Sequence, residues 1–142
     1  MSLNKILFAV DNSDCSRGGI KLAAMMAKTE NAPVLLLHVM APLPTMTIDE
    51  NVRLGVEENV RLAAQTLLKE YSDALEAMGV TTELMVGSGQ VAEVIAETAK
   101  KENCGLIVMG ARGQGALSTL FLGSVSHRVL HLVENTPVLL AR

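Results

Sequence analysis

The chain has 142 residues, with 12 basic and 15 acidic side chains for a formal net charge of −3, and only three aromatic residues. That size fits one domain, residues 1–142, able to bury its own core without staples, and the core must be assembled from Leu, Val, Ile, Ala and Met. The slightly acidic balance argues against nucleic acid as a partner, since such binders usually carry a basic patch, and no window reaches the roughly 20 apolar residues of a membrane span. The N-terminal Met-Ser-Leu-Asn-Lys runs into a strand-like segment without the apolar stretch of a secretory signal, so the expected location is the cytoplasm. Cys15 and Cys104 form no CxxC pair and no metal-ligand spacing, and read as reduced structural thiols.

In chain order, the first element is a continuous apolar run at residues 6–10, ending at Asp11. Ser13 or Asp14 then caps a helix whose Ile20, Ala23, Ala24 and Ala27 share one face. A second apolar run, residues 34–39, follows Pro33. Residues 40–47 hold Pro42 and Pro44 and cannot be helical throughout. From about Ile48 to Met78 the steps of three and four through Val60, Ala64, Leu67, Tyr71, Leu75 and Met78 predict a long helix with a buried stripe. Residues 81–86 alternate more and suit a strand nearer an edge. Val91, Val94, Ile95 and Ala99 mark a third helix. The run at 106–109 ends at Gly110. Val125, Val129, Leu132 and Val133 mark a short fourth helix, and the run at 138–141 closes the chain after Pro137.

Short apolar runs of this kind fit strands buried on both faces. Strict β-α alternation predicts an α/β fold: an open five-stranded parallel sheet with right-handed crossovers and helices on both faces. Ligands of such sheets bind beyond the carboxyl ends of the strands, where the strand order reverses. The informative loop follows the fourth strand. It carries Gly110, Arg112, Gly113 and then Gly123-Ser124, where a new helix opens. Glycines let backbone approach a ligand and permit positive φ. The N–H groups of Ser124, Val125 and Ser126 lie at the positive end of a helix dipole. Together they predict a phosphate cradle, with Arg112 as a forked cation for phosphate oxygens; a flexible loop with an ordinary serine cap is the competing reading.

The segment from Val108-Met109-Gly110-Ala111-Arg112-Gly113 to Gly123-Ser124 resembles the Gly-x2-Gly-x9-Gly-Ser/Thr signature of ATP-binding universal stress proteins. The likeness extends over almost the whole chain: Ala9-Val10-Asp11-Asn12-Ser13, Leu36-Leu37-His38-Val39, Gly87-x-Gly89 and Pro137-Val138-Leu139-Leu140 are each similar to the family's pattern. The resemblance implies a Rossmann-like sheet of strand order 3-2-1-4-5 and a site for ATP, ADP or another adenine nucleotide, with magnesium brought by the phosphates. It implies that Gly110, Gly113, Gly123 and Ser124 hold the phosphates with the backbone of Val125 and the hydroxyl of Ser126. Asp11 would lie near ribose and base, Val39 would meet the adenine edge through its backbone, and Ala9 and Met109 would line the apolar floor. Asn12 departs from the glycine many members carry there. The family also implies a homodimer through the C-terminal strand and a protein partner that the sequence does not name.

Other chemistries are poorly served. There is no Gly-x4-Gly-Lys-Ser/Thr, and Gly113-x-Gly115 follows the wrong strand for a dinucleotide fingerprint. His127, His131 and Glu134 have cheap helical spacing and read as solvated or interface side chains rather than metal ligands. His38 reads as a half-buried hydrogen-bonder. Met40 and Met46 flank the proline loop and are candidates to cover a base. No nucleophile–base pair is legible, so the expected function is a nucleotide-binding signalling module with little or slow hydrolysis. The alternative is a slow magnesium-dependent ATPase or nucleotidyl-transfer enzyme using Asp11.

Overall fold

The five apolar runs form β1 (Ile6–Ala9), β2 (Val34–Met40), β3 (Thr82–Ser88), β4 (Leu106–Gly110) and β5 (Val138–Ala141), alternating with α1 (Asp14–Glu30), α2 (Glu50–Ala77), α3 (Val91–Lys101) and α4 (Ser124–Leu132). The computed structural model describes residues 3–43, 49–113 and 122–142. Every pairing in the sheet is parallel, and the order is β3-β2-β1-β4-β5, as the alternation and the resemblance predict. The order reverses between β1 and β4, which are hydrogen-bonded neighbours although 100 residues separate register partners such as Phe8 and Val108; Ala9 lies opposite Met109 there, and Leu37 of β2 lies on the other side of Ala9.

The central strands are apolar on both faces because both faces are covered. Ile6, Phe8, Val34, Leu36 and Val108 point to one side, where Ala23, Ala24 and Ala27 of α1 and Leu68, Tyr71 and Leu75 of α2 meet them. Leu7, Leu35, Leu37, Ile107 and Met109 point to the other, against Ile95 and Ala99 of α3 and Val129 of α4. This is the period-two alternation of a strand read out as two cores. Helix α1 starts where Ser13 accepts a hydrogen bond from the Ser16 N–H at 3.1 Å, so Ser13, not Asp14, is its cap. It ends at Asn31, whose φ of 51° is the left-handed conformation that asparagine tolerates. Cys15 and Cys104 are both buried and free.

Helix α2 corrects one expectation. Its buried positions are Ala64, Leu68, Tyr71, Ser72 and Leu75, with Leu67 and Met78 packed at the rim, but Val60 is exposed. The cause is length. Twenty-eight residues make a helix of roughly 42 Å, whereas strands of four to seven residues span roughly 13–23 Å. The first half of α2 therefore projects past the carboxyl edge of the sheet, and the apolar period continues where there is no sheet to meet it. Strand β3 is half-exposed at one edge of the sheet, as its alternation suggests, and runs two residues beyond the expected end, to Ser88.

Candidate functional site

Two helix N-termini stand over the reversal point, and their caps differ. At α1 a side chain caps one of the first-turn donors and the turn itself carries negative charge. The Ser13 hydroxyl takes the Ser16 N–H, the Asp11 carboxylate takes the Ser13 N–H through Oδ1 at 2.8 Å, and Asp14 adds a negative charge in the first turn. At α4 the cap is Gly123, which has no side chain to offer, and the first turn holds no acidic residue. The Gly123 N–H is itself bonded to the Ala111 carbonyl at 2.7 Å. That leaves the N–H groups of Ser124, Val125 and Ser126 without intrahelical partners at the positive end of the helix. Of the two ends, α4 is the one chemically suited to an anion.

Ser124 is consequently the first helical residue rather than the cap, and its side chain is exposed. Ser126 is buried, and its hydroxyl donates to the strand end, 2.8 Å from the Gly110 carbonyl and 3.0 Å from that of Ala111. Its hydroxyl proton thus holds the loop, while its backbone N–H is one of the three without an intrahelical partner. A further bond runs from the Ala111 N–H to the Ala141 carbonyl at 2.7 Å. The loop after β4 is therefore pinched at its base, with Ala111 and Gly123 in direct contact.

The glycines of the signature have separate steric reasons. A methyl group on Gly110 would lie 2.8 Å from the Ser16 nitrogen and 3.1 Å from the Cys15 carbonyl carbon, so glycine is needed where β4 ends against the first turn of α1. A methyl on Gly123 would lie 3.1 Å from Arg112 Cα and 3.3 Å from the Ala111 oxygen, so glycine lets the loop close. A methyl on Gly113 would meet only Asp11 Oδ2, at 3.5 Å. The expected positive φ is absent from all three and is found among the described residues at Gly79, Gly89, Asn31 and Asn103. Asn12 also lacks it; its side-chain oxygen accepts from Arg17.

Gly113 thus brings the fourth loop against the Asp11 carboxylate of the first. Arg112 reaches the same region, its guanidinium donating to Cys15 Sγ at 3.4 Å. Ala9 and Met109 are register partners at the ends of β1 and β4, and both pack on the α3–α4 side of the sheet. Val39 is buried two residues beyond the partner of Ala9 on the neighbouring strand, at the level of Asp11. His38 Nδ1 lies 2.8 Å from the Val10 carbonyl, the half-buried hydrogen bond expected of it. Met40 ends β2, and Met46 lies outside the described residues. His127 and His131 stack edge to face on α4, 4.7 Å apart; among the described residues no three His, Cys, Asp or Glu side chains gather as a metal site.

Sequence reasoning missed the support beneath Asp11. The Asp11 N–H donates to Ser16 Oγ at 3.1 Å, and the Tyr71 hydroxyl lies 2.9 Å from the Asp11 carbonyl oxygen and 2.8 Å from Ser16 Oγ. The signal available was a tyrosine in an otherwise apolar stripe, whose hydroxyl needs a partner once buried.

Comparison with known proteins bears on the family and the fold. The universal stress protein family model matches residues 2–142. The universal stress protein YxiE of Bacillus subtilis is 32% identical, over 98% of this chain and 99% of its own. Among solved structures, the universal stress protein UspA from Lactobacillus plantarum superposes with a TM-score of 0.88 at 19% identity, covering 100% of this chain and 99% of its own. The universal stress protein of Archaeoglobus fulgidus in complex with dAMP gives 0.72 at 23% identity, covering 100% of both. No helix among the described residues is long and apolar enough to cross a membrane. The strand order, the glycine-pinched loop after β4 and these matches lead to one assignment: the chain belongs to the universal stress protein family.

Proposed function

We propose that this chain binds ATP, or ADP or another adenine nucleotide, one per chain, as a signalling module with little or slow hydrolysis. The observation that carries the reading is the glycine-capped N-terminus of α4, whose open N–H groups stand beside a loop that Gly113 brings against Asp11. Phosphates are held by the N–H groups of Ser124, Val125 and Ser126 and by the Ser124 hydroxyl, along the backbone that Gly110, Gly113 and Gly123 keep clear. Arg112 adds positive charge. Asp11 and Asn12 serve ribose and base, the Val39 backbone serves the adenine edge, and Ala9 and Met109 form the floor. Adenine nucleotides occupy relatives of this fold: dAMP in the Archaeoglobus fulgidus protein, AMP in an Arabidopsis thaliana member and cAMP in another.

The donor set suits magnesium only as a companion of the phosphates, since Asp11 is the carboxylate beside the loop and its Oδ1 already accepts from Ser13. The metal would supply charge neutralisation there. No general base is placed by the described geometry, so turnover belongs well below the ~10 s⁻¹ median of enzymes. Mass analysis of what the gently purified protein releases identifies the ligand: an adenine nucleotide supports the reading, and a ligand of another class overturns it. Steady turnover near or above that median, absent from a Gly123→Val control, would overturn the binding-module reading.

The same reading includes a homodimer through β5. This strand is at the sheet edge, bonded on one side to β4, and Leu139 and Leu140 pack against opposite cores. An apolar unblunted edge favours pairing with a twofold mate. Light scattering at micromolar concentration should give twice the 15.1 kDa of one chain; the single-chain mass would refute it.

A further inference from the structure

We infer that Tyr71, from the C-terminal half of α2, is a positioning residue that sets Asp11 for the nucleotide, acting with Ser16. The inference rests on the binding reading above and extends it to a residue 60 positions away in sequence. The geometry is a closed ring. A phenol has one proton, and a carbonyl can only accept, so the Tyr71 hydroxyl donates to the Asp11 carbonyl at 2.9 Å. The same proton is shared with Ser16 Oγ, 2.8 Å from the phenol oxygen, and the Asp11 N–H closes the ring by donating to Ser16 Oγ at 3.1 Å. Both backbone polar groups of Asp11 are fixed by it. The Ser13 N–H then holds Oδ1, which leaves Oδ2 on the side of Gly113.

Packing does not account for the hydroxyl. Tyr71 and Ser16 are each 1% exposed. The Tyr71 ring meets Phe8 edge to face at 5.5 Å, and the Arg17 guanidinium lies 5.7 Å from its centroid; phenylalanine would make the same contacts. Of the other buried positions of α2, Ala64, Leu68 and Leu75 are apolar, and Ser72 turns its hydroxyl to Thr82 of β3 instead. A buried hydroxyl in such a stripe costs desolvation unless it is bonded, and here all its bonding goes to the Asp11 turn. Burial pushes the phenol pKa up from 10.0, so it remains a donor throughout the neutral range. Rings of mutually polarised hydrogen bonds are stiffer than their members taken singly, which suits a group that must hold a carboxylate in place before ligand arrives.

The test is a double-mutant cycle. Magnesium-ATP is titrated calorimetrically into wild type, Tyr71→Phe, Asp11→Ala and the double variant, and amide hydrogen exchange is measured without nucleotide. Tyr71→Phe should weaken binding roughly three- to tenfold and add nothing on top of Asp11→Ala. It should speed exchange at Asp11 and Ser13 while Leu36 and Ile107 keep wild-type protection. Ser16→Ala, which cuts the ring at another atom, should give the same pattern. Equal weakening in both backgrounds, wild-type affinity in Tyr71→Phe, or wild-type affinity in Asp11→Ala each overturns the inference while the binding reading stands. A wild type that binds no adenine nucleotide overturns the binding reading and this inference together.

Discussion

Replacing Gly110 and Gly113 by alanine, one at a time, separates two glycines that the signature treats alike. At Gly110 the new methyl group lies 2.8 Å from a backbone nitrogen and 3.1 Å from a backbone carbon of α1. Neither atom is the end of a flexible side chain, so β4 and the first turn of α1 must part. Overpacking of this kind costs about 1–3 kcal/mol. With an unfolding entropy of roughly 2.1 cal/mol/K per residue, 142 residues give about 300 cal/mol/K, and the loss corresponds to a fall in Tm of about 3–10 °C. At Gly113 the methyl group meets a single carboxylate oxygen at 3.5 Å, an ordinary contact, and φ is outside the left-handed region. Gly113→Ala should therefore be neutral, or gain up to about 1 kcal/mol from a stiffer unfolded chain. Differential scanning calorimetry of the two variants without nucleotide decides the matter. Equal melting temperatures, or a larger loss in Gly113→Ala, would refute the assignment of Gly110 to helix packing.

Ser126→Ala leaves the strand-end carbonyls of Gly110 and Ala111 without the buried hydroxyl and should cost about 1–3 kcal/mol, read from urea denaturation; an unchanged midpoint would show that the loop closes without it. Ser124→Ala touches an exposed first helical residue, so stability should stay within about 0.5 kcal/mol while ATP affinity falls about 10- to 150-fold, by thermal melting and calorimetry; a lowered Tm with intact affinity would make it structural only. Burial pushes the Cys104 thiol up from 9.0 to about 11, so the folded state holds that proton longer than the unfolded one. Its contribution is intact below about pH 9 and declines as pH rises toward 11, and Tyr71 shifts the same way. Denaturation midpoints across this range should fall in wild type and less steeply in Cys104→Ala; identical slopes would contradict the thiol's share.

The sheet was legible because its strands are continuous apolar runs, and they are so because two layers of helix cover them. The first of these, residues 6–10, and the last, 138–141, needed no further information to be placed. Where a run was half-polar, as at Thr82 and Glu83 of β3, the element was found but its end was not, since an edge strand lacks the burial that marks its limits. Val60 was misread because helical period reports amphipathicity and not what lies opposite; only the relative lengths of α2 and the sheet show that the helix overhangs. At the site, Gly110, Gly113, Gly123 and Ser124 were visible as a pattern, but not the division of labour among them. Gly110 answers to α1, Gly123 to loop closure, and the cap of α4 is the glycine rather than the serine. Tyr71 was visible only as a core residue, because its partner Asp11 is 60 residues away and no local rule connects a hydroxyl to a carbonyl at that distance.

The central claim, that the glycine-capped start of α4 and the Asp11 turn form an adenine-nucleotide site, is tested most directly by calorimetric titration of magnesium-ATP into protein freed of any copurifying ligand. The account predicts saturable binding near one nucleotide per chain, weakened in Ser124→Ala without loss of fold. Absence of saturable binding to wild type, or binding that Ser124→Ala and Asp11→Ala both leave unchanged, would contradict it.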